Sequence, residues 1–296
     1  MTRRREGHPL AVLVGVLVGV LVGVPVGAPA ILVMLLAAPP AQAQNLLSFG
    51  ASDQPVEITA DDGIEWRRDD KVYIASGNAR AARGEIELYG DELSAFYRES
   101  ADGSTEVFRV EAHGNVQIVS PNEAVYGDDG YYDVDRGVVA LTGDSLRLEA
   151  GSDRITAKES LEYWEAKRLA VARGGAVATS GDKELSADLL VGHFRQDDEG
   201  RFVLKQVDAQ GQVEISTPTE FVTSDSGVYH VDKQVAELVG AVKITRGETQ
   251  LNGEYAEVNL ATGVSRLLAG PPGGEGAGRV RGLLVPTPEP ASDDKS

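Results

Sequence analysis

From about residue 56 onward, apolar and polar residues alternate in short runs of period two, and no stretch sustains a helical spacing. The apolar phase of these runs is Ile64 and Trp66, Val72 and Ile74, Ile86 and Leu88, Val116 and Ile118, Leu146 and Leu148, Leu169 and Val171, Val213 and Ile215, and Val242 and Ile244. Alternation of this kind is the signature of half-buried strands, so these side chains are predicted to share an inner face. Glu87, Gln117 and Glu214 sit in the opposite phase and are predicted to point outward. The segment from Leu161 to Ala170 comes nearest to a helix, but its counterpart at 64–73 reads as strand–turn–strand, and it is assigned the same way. Glycines at 77, 114, 143, 174, 211 and 240 read as turns that separate short strands.

The runs repeat. Ile58-Thr59-Ala60 recurs as Ile155-Thr156-Ala157, an offset of 155 − 58 = 97 residues. The same offset joins Gly77 to Gly174, Asp91 to Asp188, Gly114 to Gly211, Pro121 to Pro218, Glu123 to Glu220, Tyr132 to Tyr229 and Gly143 to Gly240 without a gap. Roughly 31 of about 86 aligned positions are identical, where chance gives on the order of 5, so the chain carries an internal duplication. The first repeat is placed at 54–150 and the second at 151–270, continuous with the first. Residues 271–278 read as a Gly/Pro-rich linker, 279–285 as a last strand, and 286–296 as a disordered tail. The fold class expected is all-β, an elongated stack of short antiparallel strands built from two tandem copies.

Residues 1–43 read as a targeting segment. Arg3, Arg4 and Arg5 precede an apolar run from Leu10 to about Ala38, and Ala41-Gln42-Ala43 has the small-x-small form of a cleavage site. The run is also long enough to anchor the chain in a membrane if it is retained. Cleavage after Ala43 removes three Arg and one Glu, which takes the formal net charge from −18 to 25 − 45 = −20. So acidic a surface repels nucleic acid and anionic membranes. There is no cysteine, which removes thiol catalysis, thiolate metal sites and disulfide staples.

Chemistry-bearing residues are sparse. His8 lies in the targeting segment, and His113, His193 and His230 have no metal-ligand spacing. Asp61, Asp91, Asp128, Asp188 and Asp225 recur beside small residues and read as turn formers, not calcium ligands. Gly273-Gly274-Glu275-Gly276 lacks the strand period of a calcium-binding roll. No cofactor, metal or catalytic constellation is expected. The inner face remains as the functional feature. Small residues at Ala79 and Ala81, repeated as Ala176 and Ala178, leave open whether its centre is a groove or a filled core.

Several of these motifs resemble those of a known family. Gly114-Asn115-Val116-Gln117-Ile118, Tyr132-Asp133-Val134, Leu141-Thr142-Gly143-Asp144 and Gly253-Glu254-Tyr255, in that order, resemble the OstA-type repeat of the LptA-like lipopolysaccharide-transport proteins. Gln54-Pro55-Val56-Glu57-Ile58-Thr59-Ala60-Asp61 resembles the start of that fold, and Arg279 to Pro286 its final strand. The resemblance implies a V-shaped β-jelly roll acting in the periplasm. It implies a non-enzymatic bridge between an inner-membrane LptC-like export complex and an outer-membrane LptD-like translocon. Lipopolysaccharide acyl chains would lie in the interior, and head-to-tail self-assembly would extend the stack. The chain departs from the usual pattern in being duplicated. Two alternatives remain: an anchored LptC-like component of the same fold, and a non-catalytic glycan-binding β-solenoid of the envelope. Physical chemistry agrees with a shielding role, since exposing a chain of about a dozen methylenes to water costs on the order of 10 kcal/mol.

Overall fold

The structure is a computed structural model that describes residues 56–99, 104–198, 202–259, 262, 264–270 and 279–283. The targeting segment, the linker at 271–278 and the tail at 286–296 lie outside the described residues. The described residues contain strands and no helix. The first copy supplies β1 (Glu57–Thr59), β2 (Gly63–Arg67), β3 (Val72–Arg83), β4 (Ile86–Glu99), β5 (Thr105–Ser120), β6 (Glu123–Asp133), β7 (Val138–Thr142) and β8 (Leu146–Ala150). The second supplies β9 (Asp153–Ala157), β10 (Ser160–Trp164), β11 (Leu169–Ser180), β12 (Lys183–Gln196), β13 (Phe202–Ser216), β14 (Phe221–His230), β15 (Val235–Arg246), β16 (Thr249–Asn259) and β17 (Val264–Leu268), and β18 (Arg281–Leu283) falls beyond it, within the last strand expected at 279–285. β3 and β11, and β4 and β12, begin and end 97 residues apart.

All strands join one antiparallel sheet of 18 strands. The glycines expected to separate strands lie instead in the middle of long ones, or at the breaks between short ones. Gly77, Gly114, Gly174, Gly211 and Gly240 fall inside β3, β5, β11, β13 and β15, at a shift of register in each. There each glycine and the residue after it take left-handed backbone angles, as at Gly114 (φ 69) and Asn115 (φ 51). Such a bulge bends a strand and raises its twist. Each long strand therefore has two halves, and the sheet becomes two layers joined at a corner. One layer runs from β1 through the halves of β3 to β6, then β8 and β9, to β18. The other runs from β2 through the remaining halves, then β7 and β10, to β17. The layers face each other across a single apolar core.

Cross-strand register gives the core its order. In the first layer, Ala81, Leu88, Ile118, Val125, Leu148 and Ile155 pair in succession, and the row continues through Ala178, Leu185, Ile215, Val222, Ile244 and Leu251. In the second, the row is Ile64, Ala75, Leu93, Ala112, Gly130, Leu141, Leu161, Ala172, Leu190, Ala209, Gly227, Leu238, Ala256 and Leu267. The first row is nearly all large, while in the second large and small side chains nearly alternate, which lets the facing surfaces interdigitate.

Four of the predicted inner residues are corrected by this register. Val72, Ile74, Leu169 and Val171 lie in the outward phase, because their strand neighbours Tyr73, Ala75, Ala170 and Ala172 belong to the inner rows, and of the four Val72 and Val171 are nonetheless buried. In this part of β3 and β11 both faces carry apolar residues, and beside the inward Ala75, Ala170 and Ala172 the larger ones, Ile74, Leu169 and Val171, point outward. Hydrophobic size therefore gives the wrong phase there.

Candidate functional site: the space between the layers

The remaining predicted residues line the inner faces. Val116, Leu146, Val213 and Val242 sit next to the corner and are the most deeply buried large side chains. Leu88, Ile118, Leu148, Ile215 and Ile244 form the next row, and Ile86 stands beyond them toward the rim. Ile64 and Trp66 belong to the inner rows of the second layer, but at its first strand, where they remain half exposed. Trp66 stacks on Tyr73 with ring centroids 5.5 Å apart, and its indole N–H donates to the Tyr97 hydroxyl at 2.8 Å. Glu87, Gln117 and Glu214 lie on the outer face, where Arg80 and Tyr89 donate to Glu87.

The middle of the stack is filled by its own side chains. Two small apolar cavities remain, of about 40 Å³ and 20 Å³. The first is lined from both layers by Leu88, Val116 and Ile118 on one side and Ala112, Gly130 and Leu141 on the other. Every residue that lines it has its counterpart, 97 positions on, in the lining of the second. There is little room for a side chain there: a Cβ on Gly130 would stand 3.3 Å from Val116 Cγ1, and one on Gly227 would stand 2.9 Å from Leu238 Cδ2. At the C-terminal end the layers part around a cavity of about 350 Å³. Ile215, Val222, Ile244 and Leu251 line it from the first layer, and Ala236, Leu238 and Val258 from the second. Glu220 and Arg246 pair at its rim.

Polar groups gather along the rim away from the corner. The Tyr132 hydroxyl donates to Glu165 at 3.2 Å, and burial raises the pKa of both. Burial lowers that of Arg83, which lies near enough to Tyr132 for each to influence the other's ionisation across the two layers. Glu123 is 5% exposed, and burial pushes its carboxyl up to about 7. The Tyr229 hydroxyl is buried without a hydrogen-bond partner among the described residues.

Each histidine in the described residues pairs with acids. His113 Nδ1 lies 2.8 Å from Asp129, His193 Nε2 2.7 Å from Asp208, and His230 Nε2 3.8 Å from Glu237. No group of three or more potential ligands that could hold a metal ion occurs among the described residues. The recurring acids stand at the corner. Asp91 accepts from Asn115, and Asp128 accepts the Asp144 backbone N–H at 2.7 Å.

Residue pattern alone had not placed Tyr73, Leu93, Ala112, Glu123 or Leu141 on the inner face. A usable signal was present in the duplication. Ala75, Leu93, Val110, Ala112, Val125 and Leu141 are all identical to the residues 97 positions on, and all face inward.

No curated sequence matches the chain at a significant level. A solved structure of LptH, the LptA homologous periplasmic component of the lipopolysaccharide transport device from Pseudomonas aeruginosa, is similar at 10% identity. The match covers 80% of this chain and 99% of that one, with a TM-score of 0.21. The family described as LptA/(LptD N-terminal domain) LPS transport protein matches twice, over residues 57–161 and 154–264. With two layers enclosing one apolar space and a match over both copies, the chain belongs to the LptA/LptD N-terminal family of lipopolysaccharide transport proteins.

Proposed function

We propose that the chain is a periplasmic carrier that shields lipopolysaccharide acyl chains between its two layers while they cross from the inner to the outer membrane. The observation that supports this most is the continuous inner surface. It runs from the half-exposed Ile64 and Trp66 at the first strand to the open cavity at the last ones. The equivalent cavities of the two copies lie between these ends, six strands apart in the order of the first layer. At about 4.8 Å per strand that is roughly 29 Å of protected path. Among the described residues the two central rows are apolar throughout, so an acyl chain entering by parting the layers exchanges one apolar contact for another. The role needs no catalytic step. LptC-like and LptD-like proteins are the partners that the family suggests for the two ends.

The test is capture of lipopolysaccharide by the purified full-length chain, followed by assay of the lipid retained. Wild type and Gln117→Asp retain it, whereas Ile118→Asp, which places a carboxylate on the inner row, loses most of it. Thermal unfolding run in parallel shows that the Ile118 variant is folded. Equal retention by the two variants would contradict the proposal.

A further inference from the structure

Glu123 occupies an unusual position. It stands on the inner face of β6, two residues from Val125, whose cross-strand partner Ile118 lines the first cavity. It is more than nine-tenths buried, and neither carboxyl oxygen has a hydrogen-bond partner among the described residues. Its cross-strand neighbours are Ser120 and Ala150.

The second copy shows what this position otherwise uses. Glu220, the counterpart of Glu123, pairs with Arg246, which lies opposite it one step beyond the Phe221–Thr245 pair. In the first copy the place of Arg246 is taken by Ala150. The acid is thus present in both copies and its protein partner in one. A buried carboxyl without a partner is destabilising unless something else supplies the hydrogen bond.

We infer that Glu123 is a binding residue for the polar junction of an amphiphile, the hydroxyl or amide N–H at which an alkyl chain joins its head group. This rests on the carrier reading, which puts the alkyl chain between the layers. The row Leu88–Ile118–Val125–Leu148 takes the methylenes, and Glu123, one row nearer the rim, meets the first polar atom. A carboxyl can accept from such a donor, and its protonated form can also donate to a neighbouring carbonyl.

The test uses the full-length chain and two probes of equal chain length, decan-1-ol and decyl methyl ether, titrated by calorimetry. Both carry an oxygen, and the alcohol alone carries a donor. The ratio of their affinities is compared between wild type and Glu123→Leu. The ratio is expected to favour the alcohol about fivefold more in wild type, the worth of one net hydrogen bond. Glu123→Gln, which keeps hydrogen-bonding capacity, is expected to preserve most of that preference. If Glu123→Leu does not fold, Glu123→Ala takes its place. Equal ratios in wild type and the apolar variant, with both probes bound, overturn the assignment of Glu123 and leave the carrier reading standing. Binding of neither probe to wild type overturns the carrier reading, and this inference with it.

Discussion

Asp91 fills the space in which Gly114 has no side chain. A Cβ on Gly114 would overlap the Asp91 carboxylate, and the Asn115 side-chain amide donates to both Asp91 oxygens, at 3.1 and 3.0 Å. Gly114 also has a φ of 69, which an L side chain adopts only with strain. Gly211 and Asp188 repeat the arrangement in the second copy. Gly114→Ala and Gly211→Ala are each expected to cost about 2–3 kcal/mol, from left-handed strain plus displacement of the acid. Chemical denaturation measures both. A loss below about 0.5 kcal/mol at either site would mean that the corner does not depend on this packing.

Glu123 makes stability depend on pH. Its carboxyl is pushed from an ordinary value near 4.5 up to about 7 by burial. A raised carboxyl pKa means that the folded state holds its proton more tightly than the unfolded one. The stabilisation is therefore complete below pH 4.5 and is lost as pH rises toward 7. The shift corresponds to about 3 kcal/mol over that window. Glu123→Gln is expected to remove this component, and to be more stable than wild type at pH 8. Unfolding curves at pH 5 and pH 8 check it, and an unchanged pH dependence in the variant would show that Glu123 is solvated.

The two tryptophans report on opposite faces. Trp66 belongs to an inner row at the open first strand, while Trp164 pairs with Leu169 on the outer face. In single-tryptophan proteins, lipids brominated on their acyl chains are expected to quench Trp66, left by Trp164→Phe, at least twice as strongly as Trp164, left by Trp66→Phe. Stern–Volmer plots compare them, and equal quenching would indicate surface adsorption.

Much of this arrangement was legible in the sequence. The 97-residue offset and the alternation around Leu88, Ile118, Leu148, Ile215 and Ile244 indicated antiparallel strands and their inner face. Two features were not legible, each for a physical reason. Glycine with a neighbouring polar residue is the usual mark of a turn, yet at Gly114 and Gly211 it bends a strand that continues. At Ile74 and Val171 the larger residues face outward, because Ala75 and Ala172 beside them must be small enough to sit against Leu93 and Leu190.

The central claim is that lipid passes between the layers. A photo-crosslinking residue placed at single positions in living cells tests it most directly. Capture of lipopolysaccharide is expected at Leu88, Ile118, Leu148 and Ile215, and also at Ala75 and Ala172. Little is expected at Glu87, Gln117 and Glu214, or at Ile74 and Val171, which neighbour inner residues but face outward. Equal capture on both faces by folded variants, or none on the inner one, would contradict the account and reduce the inner face to a structural core.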